Sequence, residues 1–159
     1  MLSKEIKNYI RAEATVAAAF NFFINGMAAA LIHHKADRVA TDPVSIAIDL
    51  FVTCLSICVL TALFSRASIK RTKTAEIIEP ASGVLRFFSK LFRHPILFGA
   101  VTGGCAAVFI YIPTALFFSL LGIMSIPFAI YITLKCVFAA VLGGGITALE
   151  LYAGMCKAK

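Results

Sequence analysis

Residues 95–121, PILFGAVTGGCAAVFIYIPTALFFSLL, contain no charged side chain and decide the class of the fold. Crossing ~30 Å of bilayer hydrocarbon takes about 20 mostly apolar residues at ~1.5 Å rise each. Working outward, three further stretches meet the same requirement, at about 12–32, 44–64 and 126–153. Backbone groups in lipid must pair within their own segment, and these runs lack the apolar/polar alternation of barrel strands, so helix is the predicted state. The sequence therefore predicts an all-α polytopic membrane protein. It forms a single integral membrane domain over residues 1–159, with four spans arranged as two hairpins and joined by a basic cytoplasmic linker.

Composition agrees with that class. The chain is 60% hydrophobic and 14% charged, with a mean hydropathy of +0.92, whereas soluble domains are about a quarter charged. The net charge of +7 does not point to nucleic acid, because the basic residues sit beside the spans. There they orient a membrane protein and meet anionic lipid headgroups. Three basic residues precede the first span, seven lie between the second and third, and two close the tail, against two (Lys35 and Arg38) between the first and second. This asymmetry predicts both termini and the middle linker on the cytoplasmic side of a cell membrane, most simply a bacterial inner membrane. Residues 1–30 imitate a signal peptide, but the apolar stretch is longer than usual for one and carries Glu13, Asn21 and Asn25.

The linker carries its own signal. Apolar Val84, Leu85, Phe87, Phe88, Leu91 and Phe92 share a broad face, and Arg86, Lys90 and Arg93 recur at helical spacing on another. That pattern predicts a short amphipathic helix in the interface, after a break at Glu79-Pro80 and Gly83. Arg66, Lys70, Arg71, Lys73, Arg86, Lys90 and Arg93 are the expected headgroup contacts. In the turn at 122–125, Ser125 is expected to cap the last helix, with Pro127 in its first turn.

Small residues predict how the second hairpin packs. Gly99 and Gly103 form a GxxxG followed by Gly104, and the last span holds Gly143, Gly144 and Gly145. Folding about residue 123 brings Gly103 level with Gly143, so the third and fourth spans are expected to approach closely there. A self-association face for a homodimer is the alternative.

Ionisable residues inside spans are costly in lipid and need a partner or water. Glu13 and Glu150 lie near helix ends, where reaching the interface is expected. Asp49 and Lys135 are deeper, each about 9–12 Å below the start of its helix by counting ~1.5 Å per residue. Equal depth allows them to pair across the bundle. Tyr111, level with Lys135, is expected to add a hydrogen bond, and Pro113 to loosen its helix by removing a donor. Asn21 and Asn25, one turn apart, extend a polar path Asn21–Asn25–Asp49–Lys135.

The five cysteines, Cys54, Cys58, Cys105, Cys136 and Cys156, form no CxxC pair and read as small apolar residues. His33, His34, Asp37 and Asp42 share a loop without helical ligand spacing, so no metal or cofactor is expected. No nucleotide loop, Ser/His/Asp arrangement or HExxH occurs, so no enzyme is expected. The functional expectation is a permease-like homo-oligomer that conducts a small solute, ion or proton through the polar site. The alternative is a non-transporting scaffold or accessory subunit that binds partner membrane helices and anionic lipids.

Overall fold

The computed structural model describes residues 3–71 and 83–156. Lys73, Lys157, Lys159 and the break at Glu79-Pro80 lie outside the described residues. The first helix, α1 (Lys4–Ile32), starts where the Ser3 hydroxyl accepts the Ile6 amide at 3.3 Å, satisfying one of the unpaired first-turn donors. Strand β1 (Arg38–Ala40) follows, then α2 (Pro43–Arg71). The Asp42 carboxylate caps α2 by accepting the Val44 and Ser45 amides, both at 3.1 Å. The short α3 (Gly83–Leu91) leads into α4 (Pro95–Leu120), which continues through Pro113. Strand β2 (Ser125–Pro127) and α5 (Phe128–Met155) complete the order.

Four of these helices are long and apolar enough to cross a membrane, at 29, 29, 26 and 28 residues. Their outward faces carry large apolar side chains such as Val16, Phe23, Leu31, Phe109 and Val141, all exposed. That is the pattern of helices solvated by lipid rather than water.

Consecutive long helices are not the packing partners, which corrects the two-hairpin expectation. α1 packs along α5, α5 also packs along α2, and α2 packs along α4. The order across the bundle is therefore α1–α5–α2–α4, with little contact between α1 and α2 and no extensive contact between α4 and α5. The glycines explain the choice. A Cβ on Gly99 would lie 2.5 Å from Val59 Cα, and one on Gly103 would lie 2.9 Å from the Cys54 carbonyl oxygen. The GxxxG face thus seats α4 against the α2 backbone, not against α5. On α5, a Cβ on Gly143 would strike the Asn21 side chain, and one on Gly144 would lie 3.1 Å from Ala18 Cβ. Gly104 and Gly145 have nothing within 4 Å of an added Cβ. Equal depth alone predicts that Gly103 meets Gly143, but depth fixes level along the bundle and not which helix a face meets.

At the end opposite the termini, β1 and β2 pair antiparallel, with Val39 opposite Ile126. This ribbon was not expected in an all-α chain. It ties together the two loops that connect the long helices. Thr41 adds to it by donating its amide to the Met124 carbonyl at 2.9 Å and its hydroxyl to the Ile123 carbonyl at 2.7 Å. Ser125 therefore does not cap α5. It is a strand residue whose hydroxyl and carbonyl accept from Arg38 at 2.9 and 2.7 Å, and Pro127 precedes the helix.

At the terminal end, α3 lies against the bundle. Phe92 and Phe98 meet edge to face at 5.4 Å within a buried cluster that includes Ala62 and Ala153. Phe88 and Leu91 pack onto the same cluster. Arg86, Lys90 and Arg93 stay exposed, as do Lys70 and Arg71 at the end of α2. Arg66 is half-buried and donates to the Arg93 carbonyl at 2.9 Å, joining the end of α2 to the start of α4.

A candidate intramembrane polar site

Asp49 sits on α2, on the same side as Ile46 and Thr53, and Lys135 sits on α5 one residue before buried Cys136. Because α2 and α5 pack together, the two side chains meet across their seam, and the Lys135 ammonium pairs with Asp49 Oδ1. The Tyr131 hydroxyl donates to the same carboxylate oxygen at 3.1 Å and lies 3.2 Å from Lys135 Nζ. Tyr131 precedes Lys135 by four residues, so both project from one face of α5. The His33 ring stacks edge-on against Tyr131 at 5.1 Å. A carboxylate, an ammonium and a phenol thus satisfy one another where water is scarce.

Among the gaps that the interleaved packing leaves between the described residues, two flank the ion pair. Between α4 and α5, beneath the ribbon, lies a cavity of about 750 Å³. Arg38, Thr41 and Ser45 give it polar edges, while Ile110, Phe117, Leu134 and Phe138 supply apolar walls. Between α1 and α2 lies a smaller cavity of about 260 Å³, lined by Asn21, Asn25, Thr53, Ser56 and Thr61 among apolar neighbours. Asp49 and Lys135 are the residues common to both linings. The pair is asymmetric in access, since the Lys135 side chain is 11% exposed and that of Asp49 36%.

The other expected members divide. Asn21 is buried and Asn25 half-buried, and both line the smaller cavity with Asp49. Each amide nitrogen donates to its own helix, Asn21 to the Ala17 carbonyl at 2.9 Å and Asn25 to the Asn21 carbonyl at 3.0 Å, so neither bonds the ion pair directly. Tyr111 lines neither cavity and makes no bond to Lys135; this corrects the expected hydrogen bond, because α4 faces α2 rather than α5. Tyr131 takes that place, and its i−4 spacing from Lys135 was the available signal.

A second polar cluster was missed. Glu150 is fully buried, with the Thr61 hydroxyl 3.1 Å from one carboxyl oxygen and Ser65 donating to the other at 2.9 Å. Its expected reach to the interface is corrected: α5 points it inward against α2. Glu13 meets Ser68, which donates to it at 3.1 Å and is bonded to Tyr9 at 2.7 Å. Asp49, Thr53, Thr61, Ser65 and Ser68 thus form a polar stripe along α2, about 28 Å long at ~1.5 Å per residue, close to the thickness of bilayer hydrocarbon. The signal was there: small polar residues at steps of three or four along an apolar helix, skipping one turn at Ile57.

Outside the spans, Asp42 is held below the usual carboxylate value of 3.8, mainly by the Ser45 hydroxyl and also by the Ser45 and Val44 amides. Among the described residues no group of three or more His, Cys, Asp or Glu is arranged to hold a metal ion. Comparison with protein families, with curated proteins and with solved structures gives no match.

Proposed function

We propose that this chain is a small permease-like membrane protein in which a small polar solute or ion passes the Asp49–Lys135 pair. The observation that carries the reading is that, among the described residues, only this pair is shared by the linings of two cavities on either side of the α2–α5 seam. An intramembrane ion pair bordering cavities is expensive to keep if it only glues helices, and such residues commonly mark solute or ion pathways. A species that interacts with Asp49 or Lys135 weakens their mutual attraction, which opens the seam between the cavities.

The same reading places both termini, the end of α2 and α3 on the cytoplasmic side of a cell membrane, and the ribbon outside. The basic asymmetry supports this orientation. Exposed Lys70, Arg71, Arg86, Lys90 and Arg93 then face anionic headgroups. Four helices enclose little volume, and both gaps border the bundle surface, so a second copy of the chain completes the walls.

Swelling of sealed proteoliposomes in iso-osmotic ammonium chloride, potassium acetate, glycine or glycerol tests the proposal. Permeation of at least one of these above protein-free vesicles, lost in Lys135→Met, is the expected result. No permeation by any of them, with folded protein in the vesicles, contradicts it and favours the scaffold reading.

A further inference from the structure

The Glu150 cluster asks for an explanation that helix packing does not give. Its carboxyl is 0% exposed and has two hydroxyl neighbours, Thr61 and Ser65, with no Lys, Arg or His paired to it among the described residues. The nearest basic side chain along α2, Arg66, donates instead to the Arg93 carbonyl. From α2 the titratable neighbour is the buried Cys58 thiol, and on the α1 side Glu13 is engaged by Ser68.

Hydrogen-bond stoichiometry adds to this. Thr61 Oγ1 lies 2.8 Å from the Ile57 carbonyl, 3.2 Å from the Cys58 carbonyl and 3.1 Å from Glu150 Oε1, yet it has a single proton to give. If Glu150 were a carboxylate, Thr61 would have to choose between it and its own helix. If Glu150 is a neutral acid, it donates to Thr61, Thr61 donates to Ile57, and Ser65 donates to the other carboxyl oxygen, so every partner is satisfied. An isolated buried carboxylate here would instead carry a large desolvation penalty. One turn away on the same face of α5, the buried Thr147 hydroxyl has no partner among the described residues.

We infer that Glu150 is a proton-binding site, resting as the neutral acid and exchanging its proton through the Thr61 hydroxyl with the cavity that reaches Asp49 and Lys135. Among the described residues, Thr61 alone both lines that cavity and bonds Glu150. In the exchange, Glu150 Oε1 gives its proton to Thr61 Oγ1 as Thr61 passes its own to a water molecule entering the cavity, which carries it away as hydronium. One proton leaves, a carboxylate remains, and only O–H bonds change. Resting on the proposed solute route, this makes the proton the coupling or conducted ion, while proton binding itself does not depend on that route.

Infrared difference spectroscopy of the protein in nanodiscs reads the site directly. The expected result is a protonated-carboxyl C=O band at neutral pH that is abolished in Glu150→Gln, kept in Asp49→Asn, and shifted in Thr61→Val and Ser65→Ala. The band should fade as pH is raised. Absence of the band from wild type, or its full retention in Glu150→Gln, overturns the inference. So does a band unmoved by both hydroxyl variants. In proteoliposomes under a potassium diffusion potential, proton entry should fall at least tenfold in Glu150→Gln and be restored in part by Glu150→Asp; wild-type proton entry in Glu150→Gln also overturns it. A band that behaves as expected in vesicles permeable to none of the swelling solutes supports the proton site and removes the solute reading alone.

Discussion

Gly99 of α4 lies so close to Val59 of α2 that an added Cβ would sit 2.5 Å from the Val59 Cα. Backbone cannot move aside as a flexible side chain can, so α4 must retreat from α2 if the glycine is replaced. Gly99→Ala is therefore expected to destabilise the fold by about 1–3 kcal/mol, the usual range for overpacking. Gly104→Ala, with nothing within 4 Å, should leave stability unchanged. Thermal unfolding in nanodiscs checks the pair; equal midpoints would mean that α4 is not seated on α2 through this face.

The ribbon register predicts a cross-link. Val39 and Ile126 are directly opposed, a placement that brings Cβ atoms within disulfide reach. In a background lacking the five native cysteines, Val39→Cys with Ile126→Cys should oxidise readily, detected as a mobility shift reversed by reductant. Val39→Cys with Ser125→Cys, offset by one residue and pointing to the other face, should not. Cross-linking with the opposite preference would reject the register.

How much of this was legible follows from what each signal measures. Hydropathy marks lipid-facing surface, so the last apolar residue of α1, Ile32, and the first residue of α4, Pro95, fall where the sequence put them. The same measure stops short at the terminal end, where α2 runs on to Arg71 through the mostly polar stretch Ser65–Arg71, and α1 begins at Lys4 behind the Ser3 cap. Counting along helices gives depth, and depth was enough to bring Asp49 to Lys135. It gives no rotation about the helix axis, so it could not tell that Gly103 meets Cys54 rather than Gly143, or that Tyr131 replaces Tyr111. Glu150 was misread for the same reason: closeness to a helix end says nothing about which way the side chain points.

Acid should loosen the start of α2. Because Asp42 is held below its ordinary value of 3.8, it binds protons less readily folded than unfolded. Its contribution is present at pH values above the unfolded value and is lost as pH falls through the lower, folded one. Asp42→Asn should flatten the decline of thermal midpoint below about pH 4 relative to wild type. An identical acid decline in both proteins would show that this cap is not what the acid removes.

Removing one member of the ion pair should harm the fold more than removing both. Asp49→Asn or Lys135→Met leaves a partly buried charge without its partner, at a cost of about 1–3 kcal/mol given that Asp49 is 36% exposed. A double-mutant cycle on thermal stability in nanodiscs isolates the coupling. The double variant should recover a good part of either single loss, whereas additive losses would mean the two side chains do not depend on each other.

The central claim is that the Asp49–Lys135 pair divides two cavities open to polar solutes, and water access on its two sides tests this most directly. Ser45→Cys lies in the larger cavity and Asn25→Cys in the smaller, each introduced singly without native cysteines. With a membrane-impermeant charged thiol reagent applied to each face of sealed proteoliposomes, Ser45→Cys should react from the ribbon side. Asn25→Cys should react slowly, and at least several-fold faster once Lys135→Met removes the pair. Both positions inert from both faces, with and without Lys135→Met, would contradict the account and leave the ion pair as a link between helices.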